Sequence, residues 1–209
     1  MLVADGVEHV LCTPHYSNLF ATSHRDATAR FAELSAQLTS AGIPLGATLA
    51  AEIGPGFAAS APIEEVLART IAGRFALIEV LSDTSPSALM AIRDRLAEAG
   101  VRLVLAHPER SRAVQRHPNV VDPLRADGAL VQVVAPSLLG RWGSDVEVAA
   151  WRLVDTGRAD LLGSDAHGAT RRRPHLREVC ELIESRLGEG VVAELTERGP
   201  MTVLDADAY

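Results

Sequence analysis

Short hydrophobic runs alternate with amphipathic stretches along the whole chain. Six apolar runs predict buried parallel strands, at residues 7–12, 45–52, 75–80, 102–106, 129–134 and 159–163. Between them, residues 25–40 and 88–99 carry apolar side chains at three- and four-residue steps, which is typical of helices with one buried face. The alternation of strand and helix predicts an α/β fold built from repeated βα units.

The breaks in the pattern support the same reading. Gly42 and Gly100 each follow a predicted helix and precede a predicted strand, where glycine readily adopts the left-handed conformation that ends many helices. Proline- and serine-rich linkers are absent from the sequence, so we place no domain boundary in it. We therefore expect residues 1–209 to form a single domain.

The composition narrows the class of protein. With 209 residues and 47% hydrophobic content, the chain can bury one sizeable core. Its net charge of −7 argues against general binding to nucleic acid or to a membrane surface, because both attract clustered lysine and arginine. The two cysteines, Cys12 and Cys180, stand in no paired motif, and no apolar run approaches the length of a membrane span. We expect a cytoplasmic protein without membrane insertion.

Reactive side chains follow five of the six predicted strands. In a parallel α/β barrel the carboxyl ends of the strands gather at one mouth, so residues there converge. The candidates are His15, Glu52, Glu79, His107 and the pair Asp165 and His167. Imidazole and carboxylate together suit Zn, Mn or Fe, and carboxylates can bridge two ions. A single acid at a strand end is often an ordinary surface residue. The complete set, however, favours a metal site.

Arginines stand beside the two strongest motifs. Arg110 and Arg112 follow His107, and residues 171–173 are three arginines that follow His167. A guanidinium matches the geometry of phosphate and stays charged. These arginines therefore predict a local anion-binding site in an otherwise acidic protein. The alternative is that residues 171–173 form a solvated turn. We assign no ligand role to the other histidines, which are His9, His24, His117 and His175.

In these motifs and their order, the chain resembles the polymerase and histidinol phosphatase (PHP) superfamily over residues 3 to about 200. Within it, the resemblance is stronger to the bacterial metal-dependent protein tyrosine phosphatases linked to capsule and exopolysaccharide. The motifs are Thr13-Pro14-His15, Ala51-Glu52-Ile53, Ala76-Leu77-Ile78-Glu79, Ala106-His107-Pro108-Glu109-Arg110, Ser164-Asp165-Ala166-His167 and Arg172-Arg173-Pro174-His175. Each is short, but their order and spacing together are specific.

The resemblance implies a distorted (β/α)7 TIM-like barrel that holds up to three divalent ions, commonly Mn, Fe or Zn. It implies that Glu52 bridges two ions, that Glu79 and His107 complete one site, and that Asp165 ligates another. His15 and His167 would hold the third ion. It also implies that the phosphoryl group is gripped by Arg110 and Arg172.

The implied reaction is hydrolysis of phosphotyrosine by a metal-bound hydroxide. The implied partner is a phosphotyrosine protein, such as a tyrosine kinase that controls polysaccharide export.

The sequence departs from the family pattern at two points. Relatives open with a strand that carries His-x-His and a nearby acidic ligand, to which nothing corresponds here, so we expect a domain truncated at its N-terminus relative to the family. A barrel without this strand leaves open edges, and we expect incomplete metal occupancy. The second departure is Val134, where relatives often carry a polar residue.

Two other functions stay open at the level of sequence. One is a phosphatase of small molecules such as histidinol phosphate, and the other is a catalytically impaired PHP-like remnant that binds a partner. The identity of the metal, the oligomeric state and the general acid are not determined by these motifs.

Overall fold

The computed structural model describes residues 1–17 and 23–204. The strands in these ranges are β1 (His9–Cys12), β2 (His15–Tyr16), β3 (Gly46–Leu49), β4 (Glu52–Ile53), β5 (Phe75–Glu79), β6 (Arg102–Ala106), β7 (Leu130–Val134) and β8 (Leu161–Gly163). The α-helices are α1 (His24–Ser40), α2 (Pro55–Ser60), α3 (Ile63–Leu67), α4 (Pro86–Glu98), α5 (Arg112–Arg116), α6 (Asp122–Ala126), α7 (Ala135–Leu138), α8 (Ser144–Asp155), α9 (Leu176–Leu187), α10 (Glu189–Ala193) and α11 (Gly199–Leu204). Short 3₁₀ or π segments occupy Val3–Asp5, Pro108–Arg110, Pro118–Val121 and Glu194–Arg198.

All the strands are parallel, and their order in space follows their order in the chain. One ladder joins β1 to β3, and a second joins β2, β4, β5, β6, β7 and β8 in that sequence. A sequential parallel sheet with helical crossovers is the architecture of α/β barrels. Within residues 1–17 and 23–204 no ladder joins β8 back to β1 or β2, so the sheet has two edges.

The strand predicted over residues 45–52 appears as two segments, β3 and β4, and a short strand, β2, follows the strand predicted over residues 7–12. His9 lies opposite Gly46 and His15 lies opposite Glu52, so β1–β3 and β2–β4 share one register. The interruption falls at Pro14, which has no N–H to donate to the ladder. Its carbonyl still accepts a hydrogen bond from the Glu52 N–H at 3.1 Å. The predicted strand over residues 45–52 is therefore present but divided.

Two apolar layers cover the two faces of the sheet. Alternate residues of a strand point to opposite faces. In β5, Ala76 and Ile78 pack in the larger cluster with residues of helices α4, α8 and α9, whereas Phe75 and Leu77 pack in a smaller cluster with Val104. The sheet thus has a helix-covered outer face and an apolar inner face, and the α/β prediction is confirmed.

The helices follow the predicted pattern closely. The helix predicted at residues 25–40 corresponds to α1, and the one predicted at residues 88–99 corresponds to α4. Serine caps the N-terminus of each helix through its side chain. The backbone φ is +63° at Gly42 and +73° at Gly100, as expected after a helix end. Across the described part of the chain, no helix is both long enough and apolar enough for a transmembrane span.

Candidate metal centre

Five strand ends deliver the predicted metal ligands to one rim of the sheet. His15 lies in β2, Glu52 begins β4 and Glu79 ends β5. His107 directly follows β6, and Asp165 lies two residues beyond β8. Because parallel strands end on the same side, these residues meet at one edge, as the sequence predicted.

Two of these residues adopt an unusual backbone conformation. His107 has φ of +38° and Asp165 has φ of +47°. A left-handed conformation costs a non-glycine residue about 1–2 kcal/mol, and such strain concentrates at functional sites. At His107 it is held in place by pairing with the next strand, because the His107 N–H donates to the Gln132 carbonyl at 2.9 Å.

Glu52 lies at the centre of the cluster. Its Oε1 is 2.6 Å from His107 Nε2, and its Oε2 is 3.2 Å from His15 Nδ1. The Glu52 side chain is 8% exposed and that of His107 is 5% exposed. One buried carboxylate therefore contacts two imidazoles through its two oxygens.

Glu79 completes a group with two of these residues. Ligand-type atoms of His15, Glu52 and Glu79 all lie within 4.8 Å of one another. The two carboxylates of this group repel each other at such separation unless a cation or a proton lies between them. This donor set suits Mn, Fe or Zn.

Asp165 connects the predicted metal ligands to the arginines. Its Oδ2 accepts hydrogen bonds from Arg110 Nη2 and from Arg172 Nη2, each at 2.5 Å. Burial alone would raise the pKa of Asp165, but the charge and hydrogen bond of Arg110, together with the charge of Arg172, outweigh it, so the pKa lies below its usual range. Asp165 thus stays ionised and holds two guanidiniums at one point.

His167 lies at the exposed side of the same cluster. Its Nε2 is 3.3 Å from His15 Nε2 and 3.0 Å from Arg172 Nη1, and its side chain is 39% exposed. His15 belongs to the first edge of the sheet, and His167 follows the last strand. Their contact brings the two edges of the sheet together at the rim.

The arginine cluster divides into one inward residue and two exposed ones. Arg172 reaches Asp165, whereas Arg171 and Arg173 are exposed. Arg112 is also exposed. The solvated-turn alternative therefore holds for two of the three consecutive arginines. The four histidines left without a role do not belong to the group of His15, Glu52 and Glu79.

Sequence reasoning gave no role to Glu109, which is fully buried behind His107. Its Oε1 accepts a hydrogen bond from the Val134 N–H at 3.1 Å, and burial raises its pKa above the usual range. The apolar side chain of Val134 is buried, so this position contributes a backbone donor to the rim. The sequence did contain one indication of a role for Glu109, which is an acid between His107 and Arg110 in a motif that follows a buried strand.

The rim unites a carboxylate that contacts two imidazoles with a second carboxylate that binds two arginines. The first arrangement suits divalent cations, and the second leaves guanidinium donors for an anion. A sequential parallel α/β sheet with this rim defines a protein of the PHP type. More narrowly, the chain belongs to the family described as "Capsular polysaccharide synthesis, CpsB/CapC", whose model matches residues 1–205.

Named relatives agree with this assignment. The chain is 27% identical over 205 residues to the tyrosine-protein phosphatase YwqE of Bacillus subtilis (strain 168), covering 95% of this chain and 79% of the relative. It is 31% identical over 134 residues to CapC of Staphylococcus aureus, covering 60% of this chain and 52% of the relative.

A solved structure also matches. It comes from work on YwqE from Bacillus subtilis and CpsB from Streptococcus pneumoniae, described as metal-dependent tyrosine phosphatases. It superposes with a TM-score of 0.84 at 26% identity, over 97% of this chain and 83% of that one.

Proposed function

We propose that this chain is a metal-dependent protein-tyrosine phosphatase. The observation that carries the proposal is the cluster at the rim, in which six histidine and carboxylate side chains adjoin two arginines. Metal-dependent tyrosine phosphatase activity is ascribed to YwqE and CpsB, whose fold this chain shares.

The residues at the rim fit divalent cations. His107 Nδ1 is buried and has no hydrogen-bond partner within the described residues. The other nitrogen of the ring, Nε2, shares a hydrogen bond with Glu52. Glu52 would be shared by two ions, Glu79 and His107 would complete the site of one of them, Asp165 would hold the other, and His15 with His167 would hold a third. Mn, Fe and Zn all accept such a mixture, and we propose that the set of up to three ions is incompletely occupied in this chain.

The arginines have a distinct task. Each guanidinium has five N–H donors, so binding to Asp165 leaves others for phosphoryl oxygens. Arg110 and Arg172 orient the phosphoryl group, and Asp165 keeps both arginines in place before substrate arrives. When bound, divalent ions supply a nucleophile from water and neutralise charge on the phosphoryl oxygens.

The proposed substrate is phosphotyrosine in a protein of polysaccharide synthesis or export, such as a tyrosine kinase. The family description supports this context. Cys12 and Cys180 form no disulfide, which is compatible with the cytoplasm, where we place the protein.

The test is phosphate release from a phosphotyrosine peptide by the purified 209-residue chain, with Mn, Fe or Zn added. We expect turnover with at least one metal, none in excess chelator, and little on the matched phosphoserine peptide. Preferential hydrolysis of histidinol phosphate would instead identify a small-molecule phosphatase. The absence of turnover on every substrate with every metal would refute the proposal and favour the non-catalytic remnant.

A further inference from the structure

Trp142 lies at the same rim, in the turn that connects α7 to α8. Strand β7 leads directly into the short helix α7, and the turn after α7 contains two glycines with positive φ, Gly140 at +69° and Gly143 at +97°. The Gly143 N–H donates to the Gly140 carbonyl at 3.2 Å. Trp142 is thus presented by a defined turn at the carboxyl end of a strand, where barrel-type proteins bind their substrates.

The Trp142 ring contacts both phosphate-binding arginines. The guanidinium carbon of Arg110 is 4.6 Å from the ring centroid, and that of Arg172 is 5.5 Å from it. Both arginines bind Oδ2 of Asp165, so they cannot lie on opposite faces of the indole. Trp142 as a residue remains 41% exposed. A large aromatic surface is therefore open to solvent directly beside the two arginines.

Packing of the arginines explains only part of this arrangement. A cation–π contact holds a guanidinium against one face of a tryptophan and is complete without exposure of the rest of the ring. The exposed remainder is apolar surface at the entrance to an otherwise charged site. In phosphotyrosine the phenyl ring is one oxygen atom away from the phosphorus, so a phosphoryl group held by Arg110 and Arg172 brings its ring close to Trp142.

We infer that Trp142 determines specificity by packing against the aromatic ring of an aryl phosphate. This inference rests on the proposed function and identifies the side chain that favours phosphotyrosine over alkyl phosphates. Aromatic pairs contribute about 0.5–1.5 kcal/mol beyond the area they bury. Phosphoserine and inorganic phosphate have no ring and gain nothing from this contact.

The first test compares a ligand that has a ring with one that has none. Trp142→Ala is expected to raise KM for a phosphotyrosine peptide about 3- to 10-fold, while the inhibition constant of inorganic phosphate changes less than about 2-fold. Trp142→Phe keeps a ring and should retain most of the affinity. Leu182→Ala, at an exposed apolar residue of α9, is the matched control and should change neither constant.

A parallel rise of both constants in Trp142→Ala would overturn the inference, because it would mean that Trp142 acts only by supporting the arginines. No change in either constant would overturn it as well. Recovery by Trp142→Phe distinguishes a ring contact from general damage to the turn.

A second readout needs no turnover and so separates this inference from the proposed function. The chain has two tryptophans, and Trp151→Phe leaves Trp142 as the only one, which can be excited selectively over tyrosine. Saturable change in its fluorescence with free phosphotyrosine, but not with phosphoserine, supports the contact. Equal responses to both ligands, or none to phosphotyrosine, would refute it. A positive fluorescence result without hydrolysis would count against the proposed function alone.

Discussion

The rim has two halves that differ in burial. The closed half consists of Glu52, His107 and Asp165, whose side chains are 5–8% exposed. The edge half consists of His15 and His167, whose side chains are 31% and 39% exposed. Strands with neighbours on both sides carry Glu52 and precede His107, whereas His15 lies on an edge strand and His167 follows one. Asp165 follows the same edge strand as His167, but Arg110 and Arg172 bind its carboxylate and its side chain is 7% exposed.

The difference indicates that sheet position and cover by neighbouring side chains together set how exposed each predicted ligand is. A ligand between paired strands is shielded from water, and electrostatic attraction to a cation is stronger there than at the surface. A ligand at an edge keeps its own hydration and more side-chain freedom. We therefore expect the closed half to bind a cation tightly and the edge half to bind one weakly.

The largest effect is expected from Glu52→Gln, because Glu52 touches both halves. Loss of its charge removes the carboxylate shared by two imidazoles. Loss of residues that merely support a metal ligand typically costs about 10- to 100-fold. For the shared ligand itself, kcat/KM on a phosphotyrosine peptide should fall by at least about 100-fold. Glu98→Gln, on the exposed surface of α4, is the control. Activity within a few-fold of the parent in Glu52→Gln would show that the cluster is not the catalytic centre.

The two histidines that contact Glu52 should separate the halves. His107→Ala is expected to lower kcat/KM about 100-fold at any Mn concentration, and His15→Ala about 10-fold. Excess Mn should largely restore His15→Ala, since a weakened site fills by mass action. Activity measured against Mn concentration, with exposed His117→Ala as control, gives the result. Equal losses with equal metal dependence would remove the distinction between the halves.

The arginines above Asp165 should give a smaller effect that appears mainly in binding. Lysine keeps the charge but loses the fork geometry. Loss of one charge-assisted hydrogen bond, about 1.5–3 kcal/mol, corresponds to about a 10- to 100-fold rise in KM. We expect this for Arg110→Lys and Arg172→Lys, and no change for exposed Arg171→Lys. Steady-state kinetics decide, and an equal effect at Arg171 would count against the assignment.

The smallest effect is expected on the free energy of unfolding, at Glu109, which is buried next to the closed half. Glu109→Gln retains an acceptor for the Val134 N–H, whereas Glu109→Ala leaves that donor unpaired and costs about 1–3 kcal/mol. Burial raises the folded pKa of Glu109 above its unfolded value of about 4.3. Its stabilising contribution is therefore complete below about pH 4.3 and is lost as the pH rises through the folded pKa.

Thermal unfolding followed between pH 4 and 8 tests this effect. Glu109→Gln should flatten the decline in Tm with rising pH, at about 2–4 °C per kcal/mol. If Glu109→Gln and the parent lose stability alike over this range, Glu109 does not titrate as its burial requires.

Much of the fold followed from periodicity. Buried parallel strands have continuous apolar sequences, so the predicted ends of β5, β6 and β7 lie within one residue of the observed ends. The break between β1 and β2 is harder to predict from sequence, because Pro14 interrupts hydrogen bonding without interrupting the register. A hydrophobicity pattern records burial and carries little information about which backbone groups pair.

The site was predictable to the extent that strand ends converge. Periodicity and topology placed His15, Glu52, Glu79, His107, Asp165 and His167 on one rim, and the geometry unites them. Their ligand roles remain predictions. The family resemblance singled out Arg172, but charge and spacing alone did not separate it from its exposed neighbours, since three consecutive arginines differ only in the direction set by the turn. The position of Trp142 at the rim was not predicted either, because a single aromatic residue between two glycines belongs to no periodic pattern.

A Mn titration of the purified chain, followed by calorimetry, tests the central claim most directly. The account predicts a tight class of sites and a weak class. The tight class should be lost in Glu52→Gln and His107→Ala, and the weak class alone should be lost in His15→Ala. A single class of sites that survives in Glu52→Gln would contradict it.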